Sequence, residues 1–277
     1  MTIDELRKKA DEIRDEVIRV ACKNKCGHIA SSLSTVDILV ALYYQIMRPY
    51  KMQADGFLIS NSTYNISEYA NRDRLVLSKG HGCYALYAIL ADLGVIPKEQ
   101  WERFGDNLQP PSVLKGCVEY KPEWGLEAGT GSLGHGLPMA VGMAYATKIQ
   151  KLPWHTYCIV GDGELQEGSC WEALNFMFEQ ELKNITVIVD RNGFMALDKI
   201  EKNAIVTLFK GYGYFAINGH DIFNIVWMLE SKEIDSRGMI IMADTIKGKG
   251  LKCMEGKAHF HYRVPTKNEI CEGRTYE

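Results

Sequence analysis

Two short polar loops carry the residues best suited to chemistry. One is GDGELQEG at 161–168, which follows an apolar run and precedes a helix-forming one. That order puts the Asp162 carboxylate at a strand end beside helix N–H groups, where a hard cation and an anionic ligand can be held together. The other is DRNGF at 190–194, whose Asn192 stands 30 residues after Asp162 (192 minus 162), at the tip of the next apolar run. A single carboxylate does not make a metal site. With the Asn192 side-chain oxygen, a nearby backbone carbonyl, two oxygens of a bound diphosphate and one water, however, Asp162 completes the octahedron that magnesium demands.

A glycine turn, GTGSLGHG at 129–136, is the next feature, and Gly129, Gly131 and Gly134 read literally as GxGxxG. A dinucleotide site would need a strand just before this turn and an acidic residue about 20 positions after it. VEYKPEWGLEA precedes the turn and no acid follows until Asp162, so that reading is set aside. Two others stay open: amides offered to a phosphate at a helix start, or glycines that let a helix pack closely.

The histidines are ambiguous one by one. His28 follows Gly27 and fits a helix C-terminal cap as well as a ligand contact. His81, between Gly80 and Gly82, fits a tight turn or a ring turned toward a ligand. His259 and His261 share a face on an extended segment, and with Cys253 they would offer zinc three ligands but no fourth.

These loops need a framework. MTIDELRKKADEIRDEVIRVA is an amphipathic helix, and STVDILVALYYQIM at 34–47 opens with a Ser/Thr cap signal and predicts a core helix that ends before Pro49. The stretch 51–74 turns polar and irregular and reads as a loop insertion. Strands are predicted over 75–77, 157–160, 185–189 and 239–243, with helices over 83–92, 168–180 and 221–229 and another after the glycine turn. The stretch 97–129 reads as irregular. Alternating strands and helices predict an α/β fold, a three-layer sandwich with a mainly parallel sheet. In such sheets ligands sit beyond the carboxyl ends of the strands, where the polar loops lie.

Composition narrows the function classes. The 277 residues are 46% hydrophobic and 24% charged, an ordinary globular balance expected to form one α/β domain over 1–277. Lys plus Arg is 32 and Asp plus Glu is 35, a net charge of -3 with no basic run, so nucleic acid is not an expected partner. The mixed-charge N-terminus is unlike a signal peptide, and no apolar run approaches the roughly 20 residues that cross a bilayer. The cytoplasm is therefore the expected location, with no membrane contact. The eight cysteines are expected as reduced thiols, and Cys22 and Cys26, one helical turn apart, as small buried side chains.

Together the motifs resemble a known family. GDG, about thirty residues and then an Asn is similar to the thiamine diphosphate and magnesium motif. KGHG at 79–82, GTGSLGHG at 129–136, GDGELQEG at 161–168 and TIKGKG at 245–250 resemble the N-terminal, diphosphate-binding half of transketolases, a similarity that runs from about Leu6 to Thr266. The resemblance implies that Asp162, Asn192 and the Phe194 carbonyl hold magnesium, or calcium or manganese in its place. It sets Gly163 against the diphosphate, Gly131, Ser132 and Leu133 against the aminopyrimidine, and Ile246 against the thiazolium. It implies that His28, His81 and His261 surround the reacting carbon and the sugar hydroxyls, His81 and His261 also touching the cofactor. Glu167 would cross a subunit interface to a partner's carboxylate.

Two departures stand out. Where transketolases commonly carry Gly-His-Pro, this chain reads Gly116, Cys117, Val118, which points to a modified or less hydroxylated donor. The chain also stops soon after His261, where the pyrimidine-binding half would begin. The glutamate that protonates the aminopyrimidine belongs to that half in the family. The resemblance thus implies the N-terminal subunit of a split transketolase, a transferase passing a two-carbon ketol unit from a ketose phosphate to an aldehyde. It would be active only with a C-terminal, pyrimidine-binding subunit, in a heterotetramer. Alternatives are a deoxyxylulose phosphate synthase-like or 2-oxo acid decarboxylase-like subunit, and a non-catalytic cofactor-binding scaffold.

Overall fold

Alternate residues of each strand belong to different cores. Leu75, Leu77, Tyr157, Ile159, Ile188, Met239 and Ile241 pack into one apolar cluster, and their neighbours Val76, Cys158, Val160, Val187, Val189, Ile240 and Met242 into another. A strand buried on both faces loses the polar alternation of a half-exposed one, which is why these runs read as continuously apolar. The structure, a computed structural model, describes residues 1–47, 72–105, 112–196, 198–201, 207, 209–231, 238–271 and 273. The insertion expected over 51–74 lies outside the described residues except for its last three, and Arg74 already opens a strand.

One sheet holds β1 Arg74–Leu77, β2 Thr156–Gly161, β3 Ile185–Arg191, β4 Phe215–Asn218 and β5 Met239–Asp244, in the order β1-β2-β3-β5-β4. Every neighbouring pair is parallel. The helices are α1 Ile3–Lys23, α2 Ile29–Leu33, α3 Val36–Ala41, α4 Cys83–Asp92, α5 Lys98–Glu102, α6 Gly136–Gln150, α7 Gly168–Glu179, α8 Ile222–Glu230 and α9 Lys267–Cys271. On one face α1, α3, α4 and α8 cover the sheet; α6 and α7 cover the other. The expected three layers with a parallel sheet are what forms.

Local chemistry explains the helix ends. α1 starts with a capping box, in which the Thr2 hydroxyl accepts from the Glu5 amide and the Glu5 carboxylate accepts from the Thr2 amide. Its buried residues Leu6, Ala10, Ile13, Val17 and Val20 recur at three and four, one stripe facing the core. Among the described residues no helix is long and apolar enough to cross a membrane.

The segment 34–47 departs from expectation. Its helix begins only at Val36, and Leu42–Ile46 closes with π geometry. The Ser34 and Thr35 hydroxyls do not cap it; they donate back to the Ser31 and Ser32 carbonyls at 3.2 and 3.1 Å. β4 and α5 were not legible, since β4 is a four-residue edge strand alternating half-buried and exposed positions and α5 is one short turn.

The register brings the polar loops together. Asp190 pairs with Gly161 on one side and with Ala243 on the other, so the ends of β2, β3 and β5 lie at one edge of the sheet. The start of α6 closes against the end of β1. A Cβ on Gly136 would stand 2.5 Å from the Ser78 Cα, a backbone neighbour that cannot swing away. Gly136→Ala is expected to lower unfolding free energy by about 1–3 kcal/mol through overpacking, measured by denaturant titration.

Candidate functional site

Beneath the strand tips lies a buried ion pair. The Lys79 ammonium donates to the Asp190 carboxylate, to the Ser31 carbonyl at 2.8 Å and to the Ser34 hydroxyl at 3.3 Å. Asp190 also accepts from the Ser34 and Thr245 hydroxyls and from the Asn192 amide at 3.0 Å. Burial alone would raise the Asp190 carboxyl, but Lys79 and these donors hold it below the ordinary carboxylate range. One charged group thus ties β1, β3, the 192–195 loop and the loop after β5.

Above it sit the oxygens suited to a hard cation. Asp162 accepts from the Gly163 amide at 2.8 Å and from the Gly193 amide at 2.6 Å. Asn192 Oδ1 accepts from the Phe194 amide at 3.1 Å and keeps a second lone pair. A Cβ on Gly163 would lie 3.2 Å from the Met195 Cα and 3.4 Å from the Phe194 carbonyl oxygen, so the GDG and DRNGF loops touch there. Burial, with the Asp190 carboxylate behind it, raises the Asp162 pKa to about 6. A carboxylate, an amide oxygen and a carbonyl in one corner form the all-oxygen set that magnesium prefers. The chemistry of these donors fits the ion.

Glu164 was not singled out from sequence, yet it braces the site. Its carboxylate accepts from the Ser78 hydroxyl at 2.6 Å, the Gly134 amide at 2.9 Å and the Gly161 amide at 3.2 Å. Two groups at the glycine turn are therefore already used internally, because the Leu137 amide donates to the Ser78 hydroxyl at 3.1 Å. Close packing, one of the two open readings, holds at Gly134. Glu164→Leu strands three buried donors against an apolar side chain and is expected to cost roughly 3 kcal/mol of stability, read from chemical unfolding. Its only signal in the sequence, an acid in a glycine-bounded loop, is equally that of a surface residue.

The three histidines converge. The rings of His28, His81 and His261 form a triangle with all three centroid separations at 5.3 Å. Burial holds every one below the ordinary imidazole range, His261 at about 4 with the Lys247 ammonium adding to the effect. At neutral pH all three are uncharged and each offers one donor and one acceptor. His28 is not a cap at the end of α1, where Asn24 takes that place; it precedes α2 and its buried Nδ1 has no hydrogen-bond partner among the described residues. A buried nitrogen left without a partner in this cluster calls for a ligand atom.

Lys247 links the two halves. Its ammonium lies 3.2 Å from His261 Nδ1, 3.3 Å from the Met195 carbonyl and 5.5 Å from the centre of the Phe194 ring. Burial and the nearby Lys79 ammonium bring it down to about 8. His259 instead packs on Phe260 at 4.6 Å, and among the described residues no group of three His, Cys, Asp or Glu is placed to hold a metal, so the zinc alternative has no structural support.

The remaining positions, Gly131, Ser132, Leu133 and Glu167, are exposed, and Ile246 is 40% exposed. Cys117 is half-buried beside the same turn, 3.7 Å from where a Gly131 Cβ would stand, and burial pushes its thiol up. The described cysteines form no disulfide.

Residues 6–276 match the family described as transketolase, thiamine diphosphate binding domain. The chain belongs to the transketolase family. An apulose-4-phosphate transketolase subunit of Phocaeicola vulgatus is 32% identical over 279 residues, covering 98% of this chain and 93% of that protein. The 6-deoxy-6-sulfo-D-fructose transketolase subunit of Clostridium sp. is 34% identical over 267 residues, covering 93% and 90%. The crystal structure of Campylobacter jejuni transketolase superposes with a TM-score of 0.80 at 29% identity, covering 97% of this chain and 42% of that one. The chain thus spans about two-fifths of that solved transketolase. Membership of the transketolase family makes this a thiamine diphosphate domain, and the site is chemically suited to that cofactor.

Proposed function

We propose that this chain, as one thiamine diphosphate and magnesium domain over 1–277, is the N-terminal subunit of a split transketolase. The observation that carries the reading is that Lys247 bridges the metal corner and the neutral histidine triangle, while Gly131, Ser132, Leu133 and Ile246, which the family resemblance sets against the cofactor, are all exposed. A cofactor laid there would have protein on one side and need a second surface to bury the other. Relatives of nearly the same length are themselves named as transketolase subunits. The partner we infer is a C-terminal, pyrimidine-binding subunit, met by the exposed Glu167, in a heterotetramer.

When bound, thiamine diphosphate supplies a nucleophilic carbon for the ketose carbonyl. The chain's own residues do the rest of the binding work. Asp162, Asn192 and the Phe194 carbonyl would hold the metal, Gly163, where a Cβ would crowd the Met195 backbone at 3.2 Å, would lie against the diphosphate, and Ile246 would line the thiazolium. His28, His81 and His261, kept neutral by burial, donate or accept hydrogen bonds at the donor's oxygens, each ring offering one donor and one acceptor.

Cys117 bears on the donor. A thiol is a poor hydrogen-bond donor, so Cys117 beside Gly131 favours a ketose phosphate that lacks or displaces the hydroxyl an imidazole would grip. The two relatives above are named for apulose 4-phosphate and 6-deoxy-6-sulfo-D-fructose, both modified sugars. Cys117→His is expected to shift kcat/KM toward an unmodified ketose phosphate by about tenfold, one hydrogen bond's worth.

The deciding experiment is calorimetric titration of the chain with thiamine diphosphate and magnesium, with and without a pyrimidine-domain subunit, followed by turnover of ketose phosphates. Binding that tightens with the partner, and ketol transfer only in its presence, is expected. Turnover by the chain alone, or no binding in either condition, overturns the reading. Release of carbon dioxide from pyruvate would assign it to another thiamine enzyme class.

A further inference from the structure

We propose that His220 is a positioning residue for the cofactor site, holding the backbone of Ile246 in place and, through it, the face that this residue turns toward the thiazolium. The inference rests on the site reading above. His220 lies between β4 and α8, far from the histidine triangle in sequence, and its side chain is only 11% exposed. Its Nε2 accepts from the Ile246 amide at 2.8 Å, and its Nδ1 lies 2.7 Å from the Asp37 carboxylate. An amide can only donate, so Nε2 is the bare nitrogen and the proton sits on Nδ1, toward Asp37. This is the arrangement by which a carboxylate orients an imidazole that serves something else.

The anchor behind it is rigid. Asp37 on α3 is buried and paired with the Arg14 guanidinium of α1, which also donates to Asp11 at 3.1 Å. The loop it steers is held on both sides: the Thr245 hydroxyl donates to Asp190, and the Gly248 amide to the Ala30 carbonyl at 2.9 Å. Between them the Ile246 amide depends on a side chain instead of on a neighbouring strand. Ile246, meanwhile, stands 40% exposed. A shift of this one peptide would move the cofactor contact without disturbing the core.

Two amides separate the imidazole's roles. An asparagine places its amide near Nδ1 and keeps the bond to Asp37; a glutamine places its oxygen near Nε2 and keeps the bond from Ile246. In His220→Asn, amide hydrogen exchange of the peptide 244–250, read by mass spectrometry on the full chain, is expected to quicken about tenfold. The thiamine diphosphate Kd, measured with magnesium and the pyrimidine-domain subunit, is expected to rise about tenfold. His220→Gln is expected to stay within about twofold of wild type in both measurements. Equal losses in the two variants, or an asparagine variant that behaves as wild type, overturn the positioning role alone. A wild-type chain that binds no thiamine diphosphate overturns the site reading, and this inference with it.

Discussion

Asp162→Ala is expected to weaken binding of magnesium and thiamine diphosphate roughly a thousandfold, the largest effect of any single change at the site. Asp162 is the only carboxylate of the proposed ligand set, and magnesium held by an amide oxygen, a carbonyl and the diphosphate loses its protein counter-charge. The fold is expected to survive. In the metal-free chain Asp162 is buried near Asp190, and its pKa of about 6 records the cost of that charge. Removing it relieves like-charge repulsion while giving up two backbone amide bonds. The variant is therefore expected to unfold within about 1 kcal/mol of wild type, as many functional carboxylates do when stability and activity oppose each other. Calorimetry with magnesium and cofactor measures the first quantity and urea unfolding the second. Unchanged cofactor affinity would overturn the metal assignment.

The second large effect is on stability. Lys79→Met leaves the Asp190 carboxylate fully buried without its cation, and Asp190→Leu does the converse to Lys79. Each single change is expected to cost about 3–5 kcal/mol, because an unpaired buried charge keeps its desolvation penalty and loses the attraction that offset it. The double variant is expected to lose clearly less than the sum of the two, since replacing both partners removes the penalty as well as the pair. Unfolding free energies that add would show that the two groups do not act as a pair. Asp190 also accepts from Thr245 and Asn192, so the aspartate variant should weaken cofactor binding further than the lysine variant does.

Much of the site was legible because its signals are local. GDG and DRNG each follow an apolar run, and a strand followed by a polar loop needs only a few adjacent residues to be read. The same holds for the helix over 83–92, whose bounds match α4 residue for residue. The histidines were harder. Alone, His28 fitted a cap, His81 a turn and His261 a zinc ligand, and their 5.3 Å triangle depends on three separate elements meeting. Where the sequence misled, a local signal was outweighed by a tertiary one: the Ser34 and Thr35 hydroxyls, apt for a helix start, turn back instead, and Ser34 donates to Asp190 at 2.8 Å.

What the sequence by itself determined was the layered parallel sheet, the strand-tip location of the site, its two oxygen-bearing loops and the family they mark. These follow from periodicity and short motifs, which are properties of neighbours along the chain. Only the tertiary structure decided which buried charges meet. Lys79 pairs with a carboxylate 111 residues away, Ser78 with Glu164 over 86, and His220 with Asp37 over 183. No periodic pattern encodes such pairings, because a lysine in a turn or a histidine before a helix looks the same in sequence whether it faces water or a buried partner. Burial makes the difference: in the low-dielectric space beneath the strand tips each polar group must find its counterpart, and the sheet register selects which one that is.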